Sequence, residues 1–106
     1  MIVVTTDNIP GKKIVKVFGL VRGNTIRSRH VGRDIMAVFK NLVGGEITDY
    51  TKMMAESREQ SLDRMIEDAE SLGANAIVGI KFATTSMMQG ASELMVYGTA
   101  VQIEDE

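Results

Sequence analysis

Five side chains within a short stretch, Arg27, Arg29, His30, Arg33 and Asp34, form the densest group of chemically capable residues in the chain. Arginines near a helix start add positive charge where backbone amides already favour anions, so a phosphate or carboxylate could dock there. A phosphate cradle also draws on glycines, and Gly32 alone adjoins the cluster. Ion pairing with an acidic helix later in the chain is the simpler use of these arginines. A second group is Gly44 and Gly45 followed by Tyr50, a flexible elbow that could line a cleft with the phenol as hydrogen-bond donor. Its plain reading is a helix–helix turn. A third is the acidic run Glu56, Glu59, Asp63, Glu67, Asp68 and Glu70, whose helical spacing allows paired carboxylates or a hard divalent cation. Without an apolar pocket to raise a carboxyl pKa, a solvated helix face is the default.

The residue counts exclude much of the rest of chemistry. The 106 residues include no cysteine and no tryptophan, so there is no disulfide framework, thiolate cage, cysteine nucleophile or redox pair. One histidine, His30, cannot build a zinc site of two or more imidazoles within one chain. No nucleophile elbow, dinucleotide-binding glycine motif, phosphate-binding loop, zincin helix or EF-hand loop is present. Eight methionines, among them Met53-Met54 and Met87-Met88, supply thioethers, but methionines at helical spacing are far more often packing than ligands.

The charge is unevenly distributed. Residues 1–43 carry eight Lys/Arg against two acids, and residues 44–106 carry four against twelve, for a net charge of -2. Complementary halves of one chain, or of neighbouring subunits, explain this better than a nucleic-acid surface, which calls for a net basic domain. Five aromatics are also few for a single-strand binder. With no run of about 18 apolar residues and no leader-like opening, a soluble cytoplasmic protein is expected.

The elements that must position these residues follow from hydrophobic period. A strand is expected over Ile2 to Thr6, stopped by Asp7, Asn8, Pro10 and Gly11. A second runs from Lys13 to Gly23; Val15, Val17 and Val21 alternate with Ile14, Phe18 and Leu20, so both of its faces should be covered. Asn24 to Gly32 reads as a connection with room for a short strand. From Arg33 the period changes, and Ile35, Val38, Phe39, Leu42 and Val43 mark an amphipathic helix closed by Gly44 and Gly45. A longer helix capped at Thr48 should reach Leu72, with Tyr50, Met54, Ser57, Ser61, Met65, Ala69 and Leu72 inward, joined by Leu62 and Ile66. Ala74 to Thr84 should be a strand with Ala76, Val78, Ile80 and Phe82 on one face, Thr85 to Ser92 a loop, and Glu93 to Ile103 the last strand. The order β-β-α-α-β-β makes one α+β domain over 1–106, its helices packed on a mostly antiparallel sheet. Mid-strand Gly19, Gly79 and Gly98 should mark bends or tight contacts.

Gly32-Arg33-Asp34, the Gly44-Gly45 pair followed by Tyr50, the stretch from Leu72 to Gly79 and the closing Gly98-Thr99-Ala100-Val101 resemble the YbjQ-like family, whose members carry the description "putative heavy-metal-binding". The resemblance spans essentially the whole chain. It implies a domain related to the dodecin-subunit class that assembles as a homopentamer, short extra strands joining neighbours. A small domain buries only roughly 60 to 70% of its unfolded surface, so assembly would also relieve a marginal core. A fivefold ring would present His30, or Glu46, five times about one axis, a way to hold a metal ion that no single chain offers. The first reading is therefore a homo-oligomeric scaffold or binding module for a small ligand or metal ion. The alternative is an enzyme or anion-handling protein using Arg33, Asp34 and Tyr50 at a subunit boundary, with Gly44 and Gly45 beside it. Catalysis is the less favoured of the two, and no membrane or nucleic-acid partner is expected.

Overall fold

The computed structural model describes residues 1–28, 46–88 and 91–106. Strand β1 spans Ile2–Val3 and β2 spans Lys12–Ser28. Helix α1 spans Glu46–Ser71, followed by β3, Ala76–Met88, and β4, Ala91–Asp105. The helix expected over residues 33–43 lies outside the described residues. The four strands form one sheet in the order β1-β3-β4-β2. β1 runs parallel to β3 and the other two pairings are antiparallel, so the α+β class stands, with a mixed sheet.

α1 forms where the sequence offers a stripe at intervals of four with no internal glycine or proline. Ser57, Ser61, Met65 and Ala69 are fully buried against the sheet. Leu62 and Ile66 flank them, packed against the same core of Val21, Ile77, Ile80, Val96 and Ala100. Burying Met65 alone is worth about 1.5–3 kcal/mol. Leu72, expected in that stripe, is instead exposed, because the helix ends at Ser71 and the chain turns through Gly73, whose amide bonds the carbonyl of Glu70 at 3.0 Å.

The helix sits against β2 through backbone, not through large side chains. A Cβ built on Gly23 would fall 1.9 Å from the carbonyl oxygen of Ser61 and 2.8 Å from the amide of Met65, so only glycine fits there. Next to it Thr25 is buried, its hydroxyl 3.1 Å from that of Ser61, which in turn donates to the carbonyl of Leu94 at 3.3 Å. These contacts explain why Asn24 to Ser28, expected as a connection, continue β2: Thr25 is clamped beneath the helix and the ladder runs on to Ser28 opposite Ala91. Thr85–Met88 and Ala91–Ser92 are also strand where a loop was expected, because the β3–β4 ladder runs on through them.

The expected facing of β3 is corrected by Gly79. It has φ +63°, its amide donates to the carbonyl of Thr6 at 2.9 Å, and the register against β4 shifts between Val78 and Lys81. This bulge moves the chain half a pleat. Ala76 and Val78 therefore face away from the helix, in a second core with Val101, Ile103, Val4 and Ile9, whereas Ile77 and Ile80 face it. Phe82 shares neither role and is 47% exposed. Gly19, at positive φ beside a second register shift, and Gly98, where a Cβ would lie 2.8 Å from Ile77 Cγ2, are the bend and the tight contact that were expected. Although β1 is only two residues long, Val4 and Thr6 carry its pairing with β3 further through backbone bonds.

Coverage of β2 also departs from expectation. It is the long edge of the sheet, and Val15, Val17, Leu20 and Ile26 are 46%, 62%, 68% and 59% exposed. The long strands stretch the molecule to 57 × 25 × 19 Å, with a Cα radius of gyration of 17.3 Å. A compact domain of 100 residues has a radius near ~13 Å.

Candidate functional site

Arg33, Asp34, His30, Gly44 and Gly45 lie outside the described residues, as does the side chain of Tyr50, whose backbone belongs to the first turns of α1. The acidic residues of α1, Glu56, Glu59, Asp63, Glu67, Asp68 and Glu70, are all exposed, the solvated face expected of them. Among the described residues no three of His, Asp or Glu come together as a metal site. With no thiolate in the sequence, the described donors do not fit a heavy-metal ion, which binds most firmly to soft ligands.

What the described residues do bring together lies on the sheet face turned away from α1. Val21 and Gly23 point at the helix, so Arg22 between them points the other way; Val96 points at the helix, so Tyr97 does not. The register then sets Arg22, Tyr97 and Lys81 side by side in one row across β2, β4 and β3. The next row is Asn24, Met95 and Ala83, followed by Ile26, Glu93 and Thr85. The near end of this face is closed by Val4 and Ile9 over Val78 and Val101. Beyond that end Leu20, Arg22, Ile26 and Lys81 are exposed and Tyr97 is half-buried.

The electrostatics of the row are one-sided. The ion pair seen among the described residues joins Lys12 to Asp105, far from the row at the start of β2. Glu93, the acid on the open face, accepts a hydrogen bond from Asn24 Nδ2 at 3.2 Å. Charge counting includes Arg22 and Lys81 without setting either apart, and it passes over Tyr97. The signal for the row is the phase of alternation, fixed by Val21 and Val96, together with a pairing between residues 75 positions apart in sequence. Composition and local motif carry no trace of that pairing.

Comparison with known proteins places this geometry in a family. A UPF0145 protein of Clostridioides difficile is 57% identical over 106 residues, covering 100% of this chain and 95% of that one. Another from Methanosarcina acetivorans is 52% identical over 103 residues, covering 97% of each. A crystal structure of a protein of unknown function from Pediococcus pentosaceus, assigned to the DUF74 family, superposes with a TM-score of 0.65 at 18% identity, covering 98% of both chains, and shows the fold alone. The YbjQ family model, described as "Putative heavy-metal-binding", matches residues 1–104. The chain belongs to the YbjQ-like family.

Proposed function

We propose that the protein is a homo-oligomeric binding or scaffold protein of the cytoplasm, a pentamer on its family resemblance, in which β2 lies at the contact between subunits. The observation that carries this reading is the exposure of Val15, Val17, Leu20 and Ile26 on an edge strand of 17 residues. A long apolar edge left open is a template for pairing with another chain, and proteins cover such edges.

Charge favours a ring over a twofold dimer. The five charged residues of β2, Lys12, Lys13, Lys16, Arg22 and Arg27, are all basic, so β2 against a second β2 would set like charges together. A different surface of the neighbour, such as the acidic face of α1, removes that repulsion. A head-to-tail contact of this kind closes into a ring when its rotation permits. In such a ring each subunit would contribute its own Arg33, Asp34, Gly44, Gly45, Tyr50 and His30, and a small ligand or ion held by residues of this set is the proposed cargo.

Sedimentation velocity tests the contact. The wild type should sediment as an oligomer, and Val17→Lys with Leu20→Lys should shift it towards the monomer while far-ultraviolet circular dichroism is retained. An unchanged oligomer in the double variant would place the contact elsewhere.

A further inference from the structure

We infer that the open face of the sheet binds a phosphoryl anion in the row formed by Arg22, Tyr97 and Lys81. Adjacent strands lie about 4.8 Å apart, which sets the two cationic residues about 10 Å apart at their Cα atoms with the tyrosine between them. Both long side chains rise from the same face and can lean over the central ring, a span that a phosphate or pyrophosphate group fills. The guanidinium offers a planar fork of donors to two phosphoryl oxygens, the ammonium a mobile point charge, and the phenol a further donor.

Three features of the molecule support this occupant. First, both cations are exposed, and among the described residues no carboxylate pairs with either one. Second, of the carboxylates near the row, Glu93 is engaged by Asn24 two rows away from the arginine's row partner Tyr97, and Asp7 lies beside Gly79, two residues short of Lys81, without an ion pair to it. Third, the exposed acids of α1 lie on the opposite side of the sheet, since α1 covers the face that Val21 and Val96 present. Two cations rising from one face about 10 Å apart make the surface between them favourable to an anion. The arrangement also departs from the cation site that the family description suggests: it is a surface built for negative charge. It stands on the geometry of a single chain and does not depend on the assembly proposed above.

Phosphoryl groups reach such a surface either free or at the end of a nucleotide. The half-buried ring of Tyr97 offers a platform for a base, and Met95 lies beside it in the next row. The test is calorimetric titration of the purified protein at low ionic strength with sodium pyrophosphate and, separately, with ADP. Saturable binding of at least one is expected. Arg22→Gln with Lys81→Gln should weaken it by about tenfold or more, the size expected when charge-assisted hydrogen bonds are lost. Lys52→Gln with Arg58→Gln removes the same charge from exposed positions of α1 and should leave affinity within about twofold, as surface charges remote from a site do. Tighter binding of ADP that Tyr97→Leu abolishes assigns the site to nucleotides; equal binding of both ligands assigns it to free phosphate. Absence of binding by either ligand, or equal weakening in the two double variants, would overturn the proposal. Because Arg22 and Lys81 are exposed on the single chain, a monomer in sedimentation with phosphate binding intact would defeat the assembly and leave this site standing.

Discussion

Gly23 of β2 and Ser61 of α1 meet backbone to backbone: a Cβ on the glycine would lie 1.9 Å from the serine's carbonyl oxygen. This contact sets the distance between helix and sheet, and the hydroxyls of Thr25 and Ser61 bond across it at 3.1 Å. Buried polar groups at this seam are satisfied, as a packed interface requires.

Gly23→Ala should therefore be strongly destabilising. The neighbouring atoms are helix backbone and cannot move singly, so the helix must lift or the strand bend, at a cost of about 3 kcal/mol, the upper end for overpacked cores. Urea unfolding monitored by circular dichroism measures it. A midpoint equal to that of the wild type would show that helix and strand are less closely apposed than described.

Asn75, in the turn between α1 and β3, completes the sheet end with its side chain. Its Nδ2 donates to the carbonyl of Ile103 at 3.0 Å, and its Oδ1 accepts from the amide of Ile103 at 2.7 Å. Asn75→Ala should cost about 1–3 kcal/mol, the loss of two net hydrogen bonds. Asn75→Asp keeps the acceptor but turns a carboxylate oxygen on the Ile103 carbonyl, so at neutral pH it should be no milder. Thermal denaturation of both variants checks the order; an alanine variant as stable as the wild type would contradict it.

Lys12 and Asp105 face each other across the β2–β4 ladder and form an ion pair. The hydrogen bond from Lys12, and then its charge, hold the carboxyl below its ordinary value of 3.8. A depressed carboxyl pKa stabilises the fold above the unfolded pKa, and that contribution disappears as pH falls through the folded value, so the window lies on the acid side of 3.8. The group is fully exposed, so the effect is read on titration and not on stability. In Lys12→Met the carboxyl of Asp105 should titrate closer to its ordinary value by carboxyl-detected NMR. An identical titration curve in the two proteins would exclude the pair in solution.

The sequence disclosed those features that depend on neighbours along the chain. Ser57, Ser61, Met65 and Ala69 recur every four residues and are the fully buried positions of α1 among the residues whose side chains are described. Gly79 and Gly98 could be recognised as special because a strand interior rarely tolerates glycine without a reason. The direction of the bulge at Gly79 was not legible, and with it went the placement of Val78 and Phe82. Thr25 was hidden for a related cause: the polar stretch from Asn24 onward reads as a connection with room for a short strand, and only the approach of a helix 36 residues further on makes it a buried strand. The site residues read from the sequence, His30, Arg33, Asp34, Gly44 and Gly45, lie outside the described residues, and Tyr50 is described by backbone alone. The row of Arg22, Tyr97 and Lys81 depends wholly on register between distant strands.

The exposed apolar edge of β2 is proposed as the contact of an assembly of identical chains. Native mass spectrometry of the purified protein measures subunit number and retained mass together. A single dominant species at five times the mass of the 11.6 kDa chain is expected. A spectrum containing only monomer, at protein concentrations well above micromolar, would contradict it.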